Sequence, residues 1–236
     1  MLGILALGFL VGLQHAMEAD HLAAVASLAT RTKGMASAMR QGAVWGVGHT
    51  LTLLVFGGAV LVADSLVPES LATGLEMAVG VMLVLLGADV LRRLVRERVH
   101  FHAHQHDGKS HFHAHSHEAG TDHAADPHQH KHPKSFPLRA LFVGMMHGMA
   151  GSAALIVLAL QTVHSPAQGL LYILIFGLGS VVGMAVLAAA VSLPLRWSAR
   201  HLTWTHNGLR GAVGLFTVVL GVVIVYRTGV AGGLFS

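Results

Sequence analysis

The chain has no cysteine and little charge: only 11% of its 236 residues are Asp, Glu, Lys or Arg, against roughly 25% in an ordinary soluble domain. Without cysteine there are no disulfides, iron-sulfur clusters or thiolate sites, so any metal must be held by nitrogen, oxygen or thioether sulfur. The shortage of charge points to lipid as the solvent. Catalytic patterns are missing as well. There is no P-loop, so ATP hydrolysis by this chain is not expected, and there is neither the H-E-x-x-H of a zinc protease nor the histidine boxes of a membrane di-iron enzyme.

What the chain has instead is apolar length. A membrane span needs about 20 mostly apolar residues, and six stretches qualify, about 2–28, 41–63, 71–94, 137–162, 168–194 and 208–232. The first lacks a basic n-region and carries a polar cluster that cleavage would discard, so it is expected to be a retained helix rather than a signal peptide. The expected fold is all-α, a polytopic membrane protein of six transmembrane helices.

Basic residues are spread unevenly. Six spans put the loops around 29–40, 95–136 and 195–207 on one side, and 14 of the 15 Lys and Arg residues lie in or at the edge of these three, Arg227 being the exception. The opposite loops carry Asp64 and Glu69. By the positive-inside rule the basic side is cytoplasmic and both termini are outside, in a bacterial-type inner membrane. The net charge of +4 would suit a nucleic-acid binder, but in so apolar a chain it reports topology, and no nucleic-acid partner is expected. The expected partners are the bilayer and a solute; no oligomeric state follows.

The two halves resemble each other. GLQHAMEAD at 12–20 is echoed by GMMHGMAGS at 144–152, WGVGHT at 45–50 by FGLGSV at 176–181, and the spacing of Gly80 to Gly87 by Gly214 to Gly221. Three spans per half make the second copy enter the membrane from the opposite side, an inverted pair of the kind whose substrate site lies near the midplane where the repeats meet. The division is 1–94, a histidine-rich loop at 95–136, and 137–236. Small residues also recur in any membrane bundle, but an intramembrane histidine in matching register is not explained that way.

His15, Glu18, Asp20 and His21 stand together inside the first apolar stretch. Charged groups at bilayer depth cost at least about 2.5 to 3.5 kcal/mol each and need partners, and a metal ion is an efficient one. On a regular helix His15, Glu18 and His21 form a winding line while Asp20 points about 140° from His15. Either the helix is locally unwound, or Asp20 orients an imidazole from another helix. His49 and His147 lie at similar depth and could join the cluster, the plainer reading for each being a helix-to-helix hydrogen bond. Imidazole with carboxylate suits nickel, cobalt, zinc or copper(II) rather than magnesium or calcium. Met17, Met145, Met146 and Met149 could offer soft ligands to copper(I), although methionine more often fills helix interfaces. A bis-histidine haem site could use His15 and His147, but would leave Glu18 and Asp20 unexplained.

The H-x4-D-H pattern of His15 to His21, followed by the glycine-flanked histidine of WGVGHTLTLL, resembles the nickel/cobalt transporter family and its urease-accessory permease relatives. The resemblance covers the first two spans. It implies roles in metal selection and transport for His15, Asp20 and His21, with His49 matching the second motif. Longer members have eight spans and further carboxylate motifs that are not found here.

Residues 100–132 hold 12 of the 19 histidines. His100, His102, His104 and His106 alternate with other residues, as do His111, His113, His115 and His117, and then His128, His130 and His132. With few apolar residues the segment is expected to be disordered without metal and to capture metal through many weak imidazole sites, losing it as the pH falls below about 6.5. A collector is most useful on the side from which ion is taken, and related exporters carry similar loops, which favours efflux. The expected function is thus transport of Ni2+ or Co2+, with Zn2+ as a further candidate, no permanent cofactor and no reaction catalysed. The alternatives are an uptake permease supplying a metalloenzyme and a membrane-bound haem or metal oxidoreductase.

Overall fold

A computed structural model describes residues 2–32, 34–63, 68–96, 99–106, 109–116, 137–162, 165–201 and 203–232, with backbone alone at 2, 4, 61–63, 99–106, 109–116, 151–162, 166, 200, 201, 203 and 231. These residues form α1 (Leu2–His15), α2 (Ala19–Ala29), α3 (Met35–Ala63), α4 (Glu69–Arg96), β1 (Val99–His106), β2 (Lys109–Ser116), α5 (Leu138–Thr162), α6 (Pro166–His201) and α7 (Thr203–Tyr226), the last running into a π turn at Arg227–Ala231. Long apolar runs become helices because in lipid every backbone polar group must be satisfied within the segment. Among the described residues four stretches, Met35–Val60, Glu69–Arg96, Ala167–Ala199 and Trp204–Val230, are long and apolar enough to cross a membrane; Leu5–His15 and Ala19–Ala29 are apolar but shorter. The stretch expected as one helix over 2–28 is therefore two. Side chains such as Leu85, Val55, Phe142 and Val186 project from the bundle with 59 to 66% of their surface exposed. In water such a belt would be an aggregation surface. Lipid is the solvent it suits, and the protein is a membrane-embedded helical bundle.

α3 is the hub. It packs against α6 and α5, while α1 and α2 lie on α6 and α4 pairs with α7. α5 comes close because it has no side chain where it crosses α3: a Cβ at Gly144 would collide with the Trp45 carbonyl, and one at Gly148 with the His49 carbonyl. This approach presses His147 against α3. Toward the basic end, Asp89 of α4 accepts from Arg31 beyond α2, from Arg93 on its own helix at 3.4 Å, and from Arg139 at the start of α5 at 3.3 Å. Three elements are thus tied at one carboxylate. Counting these arginines only as topology markers misses that role.

The histidine-rich segment differs from its expectation. β1 and β2 pair antiparallel, with His100 opposite His115, His102 opposite His113 and His104 opposite His111. Composition weighs only the capacity to bury a core and overlooks the period-two alternation, which is strand patterning. His117, His128, His130 and His132 lie outside the described residues.

Candidate metal centre

The first apolar stretch is interrupted at the polar cluster. α1 ends at His15, and the backbone tightens there, Met17 N–H donating to the Gln14 carbonyl at 2.9 Å and Glu18 N–H to the His15 carbonyl at 3.1 Å. Glu18 is extended, with φ −62° and ψ 151°, and α2 starts behind it. Both possibilities raised by the 140° separation hold: the helix is broken, and Asp20 reaches an imidazole on another helix.

Asp20 holds two rings. Its Oδ1 accepts the His21 backbone N–H at 2.9 Å and lies 2.9 Å from His21 Nδ1, and its Oδ2 lies 3.1 Å from His147 Nε2. An ionised carboxylate only accepts, so those two ring nitrogens carry the protons. His21 Nε2 and His147 Nδ1 are left as lone-pair donors, and both are buried without a hydrogen-bond partner. Asp20 stands in the first turn of α2, where the positive end of the helix dipole favours a carboxylate.

Glu18 does for His15 what Asp20 does for His21. Its Oε1 is 2.8 Å from His15 Nδ1, which leaves His15 Nε2 to face His49 Nε2 at 3.3 Å. Two nitrogens each about 2.1 Å from a tetrahedral metal lie about 3.4 Å apart, so the spacing admits an ion between them. Without an ion it is the spacing of a long N–H···N hydrogen bond.

Ligand atoms of His15, His21 and His49 lie within 4.8 Å of one another, as do those of Asp20, His21 and His147. His21 belongs to both groups. Its ring centroid is 4.3 Å from that of His15, 4.7 Å from His147 and 5.3 Å from His49. His21 and His147 are each 2% exposed and His49 is fully buried. Glu18 stands at the rim, its side chain 56% exposed, and reaches the cluster only through His15. Neutral imidazoles turned by carboxylates are a donor set for late first-row divalent ions. Of the four methionines considered, Met17 and Met146 are exposed.

Two aromatic rings close the cluster, and sequence reasoning did not single them out. Trp45 is fully buried, its ring 5.3 Å from His21 and 5.4 Å from His147. Phe176, 1% exposed, lies 5.3 Å from His15. The signal was present: Trp45 is one helical turn before His49, so both side chains share a face.

No family model and no solved structure matches this chain. It is 36% identical over 237 residues to the urease accessory protein UreH of Bacillus sp. (strain TB-90), an alignment spanning 100% of this chain and 96% of that protein. It is also 29% identical to the chloroplast protein FOR GROWTH AND FERTILITY 1 of Arabidopsis thaliana and 26% identical to FOR GROWTH AND FERTILITY 2, each over 90% of the chain. The chain spans 58% and 55% of the lengths of those two plant proteins. By identity and by coverage of both chains, this protein belongs to the family of the urease accessory protein UreH.

Proposed function

We propose that the chain carries a divalent transition metal across a membrane, nickel ahead of cobalt and zinc, with His15, His21 and His49 as ligands. Asp20 and Glu18 hold the imidazoles in the binding tautomer, and His147 is the contribution of the second half. The observation that carries this reading is the pair of buried nitrogens without partners, His21 Nε2 and His147 Nδ1, beside the facing His15 Nε2 and His49 Nε2. A buried polar atom left unmatched costs about 1 to 3 kcal/mol, and a cation would relieve both at once. The rings of His15 and His147 both lie against His21, an arrangement that favours a compact ion over a haem. No reaction and no resident cofactor form part of the proposal.

An inverted pair of three-span halves supports a path through the midplane, and matched contacts support that pairing. Gly12 lies against the Phe176 carbonyl as Gly144 lies against that of Trp45, and Gly179 meets Phe9 as Gly48 meets Leu141. α4 and α7 cross with Gly80 against Gly221 and Gly87 against Gly214. In this reading α1 and α2 count as one span and α5 as another, giving six, with the basic end in the cytoplasm.

The name of the Bacillus relative ties that protein to urease, a nickel enzyme, which favours nickel and inward supply for this chain. Export is the second reading, favoured by the run of histidines on the basic side. Expression in cells stripped of their own nickel uptake, with radiolabelled nickel, separates them: accumulation and raised sensitivity mean uptake, lowered content and raised tolerance mean export. His15→Ala and His21→Ala should each remove more than nine-tenths of the flux while inserting normally, whereas deletion of 97–136 should shift only the concentration dependence. Wild-type flux in His15→Ala would sink the proposal.

A further inference from the structure

Beyond the ligands, the path itself has a readable form. A narrow pocket opens on one side of the centre, lined by Val25 and Leu28 of α2, Ala38 and Gln41 of α3, Ala188 of α6, and Trp45. These residues lie on the basic side of the centre: along α3 the order is Ala38, Gln41, Trp45, His49, and along α2 it is His21, Val25, Leu28. Trp45 is the lining residue that also touches the centre, through His21 and His147. Its indole Nε1 is buried with no hydrogen-bond partner. The ring is fully buried and held by packing, so a swing has neighbours to displace but no hydrogen bond to break.

The other side is closed differently. Phe176 lies against His15 and packs with Leu53 and Ile173 into a buried apolar cluster that Val11 and Leu54 border. Leu53 is one turn past His49 toward the opposite end of α3, so this plug stands on the far side of the ion site from Trp45. In the repeat, WGVGHT aligns with FGLGSV, which makes Trp45 and Phe176 counterparts. They also share a contact: the carbonyl of each receives a glycine, Gly144 or Gly12, from the neighbouring helix.

We propose that Trp45 and Phe176 are the two gates of the ion's path, Trp45 separating the centre from the pocket on the basic side and Phe176 sealing it from the other. The inference rests on the transport reading. An ion path must never be open at both ends, and two aromatic plugs in equivalent positions of the two halves meet that requirement if only one moves at a time. In the conformation seen here both rings touch the centre and a small, mostly apolar pocket lies outside Trp45 on the basic side, so the state is closed at both gates.

The absence of native cysteine makes a direct test practical. Single cysteines are placed at the centre, His147→Cys behind Trp45 and His15→Cys behind Phe176, and the rate of modification by a small charged thiosulfonate is measured from each side of oriented membrane vesicles. With both rings intact, modification should be slow from both sides. Trp45→Ala should speed labelling of His147→Cys at least tenfold from the basic side and leave the opposite side unchanged. Phe176→Ala should speed labelling of His15→Cys from the opposite side alone. Trp45→Phe and Phe176→Leu, which keep most of the packing, should give smaller accelerations from the same sides and serve if the alanine variants do not fold. Unchanged rates, or acceleration from the wrong side, would overturn the gates. Nickel flux in wild-type proteoliposomes is measured in parallel. Flux with unchanged labelling removes the gates and keeps the permease; the expected labelling without flux keeps the gates and removes nickel as the cargo.

Discussion

Asp20 is one side chain used three times. It caps the His21 backbone N–H, pairs with the His21 ring and pairs with the His147 ring, so it sets which nitrogen of each imidazole is left as a lone-pair donor. An asparagine in its place has one accepting oxygen and one donating amide. It can satisfy only one ring in the present tautomer and drives the other to reverse. Asp20→Asn should therefore lower nickel affinity about 10- to 100-fold, the range for losing a group that orients a ligand, with the melting temperature little changed. Competition against a chromophoric chelator measures it, and a loss under threefold would show Asp20 to be a bystander. Glu18→Gln should have a smaller effect, because Glu18 is largely exposed and holds a single ring. At this scale the sequence was readable in part. HAMEADH announced itself by the expense of ionisable groups among apolar ones, and the angle between His15 and Asp20 showed that Asp20 needed a separate explanation. The partner it reaches, His147, is 127 positions away, and no spacing rule connects residues so distant; only the repeat and the matching depth hinted at it.

The break between α1 and α2 is an element-scale feature with no local cause in composition. Ala16, Met17 and Ala19 are good helix formers, and neither Gly nor Pro marks the interruption. Propensity reads straight through, and tertiary demand overrides it: two groups 140° apart must serve one cluster. Asp89 was opaque for a related reason, since its partners Arg31 and Arg139 come from other elements. The break can be tested with proline. Ala19 is the first residue of α2 and is exposed, and Glu18 before it is already extended, the conformation a following proline requires. At a helix start the missing N–H is one that has no intrahelical partner. Ala19→Pro should fold, with melting temperature and nickel affinity close to wild type. Were 2–28 one continuous helix, the same substitution would cost about 3 kcal/mol. Ala24→Pro, inside α2, is the control expected to fail, and equal damage from both would argue against the break.

At the scale of the whole molecule, the question is how the chain threads the bilayer when its first apolar stretch is two short helices, α1 and α2. α1 has 14 residues and α2 has 11, about 21 Å and 16 Å at 1.5 Å per residue, so neither alone crosses a hydrocarbon core of about 30 Å. End to end they do. The break then falls near mid-depth, where an interrupted helix places its free backbone and polar side chains in the interior of a transporter. If the pair acts as one span, Gly3 and Gly34 lie on opposite sides of the membrane; if the pair enters and returns, they lie on the same side. Neither glycine has a neighbour within 4 Å of where its Cβ would stand, so Gly3→Cys and Gly34→Cys should be tolerated. An impermeant maleimide applied to intact cells should label Gly3→Cys and spare Gly34→Cys until the membrane is opened. Gly232→Cys is less suitable, because a side chain there meets Thr228 and Thr73. Trp204, at the opposite end of α7 and 84% exposed, can be replaced by cysteine instead, and it should behave like Gly34 because the distribution of Lys and Arg puts both on the basic side. Labelling of all three from outside would overturn the single-span reading of α1 and α2 together with the assignment of the basic end to the cytoplasm. Protection of Gly34→Cys and Trp204→Cys with labelling of Gly3→Cys would fix the side from which the pocket beneath Trp45 is reached.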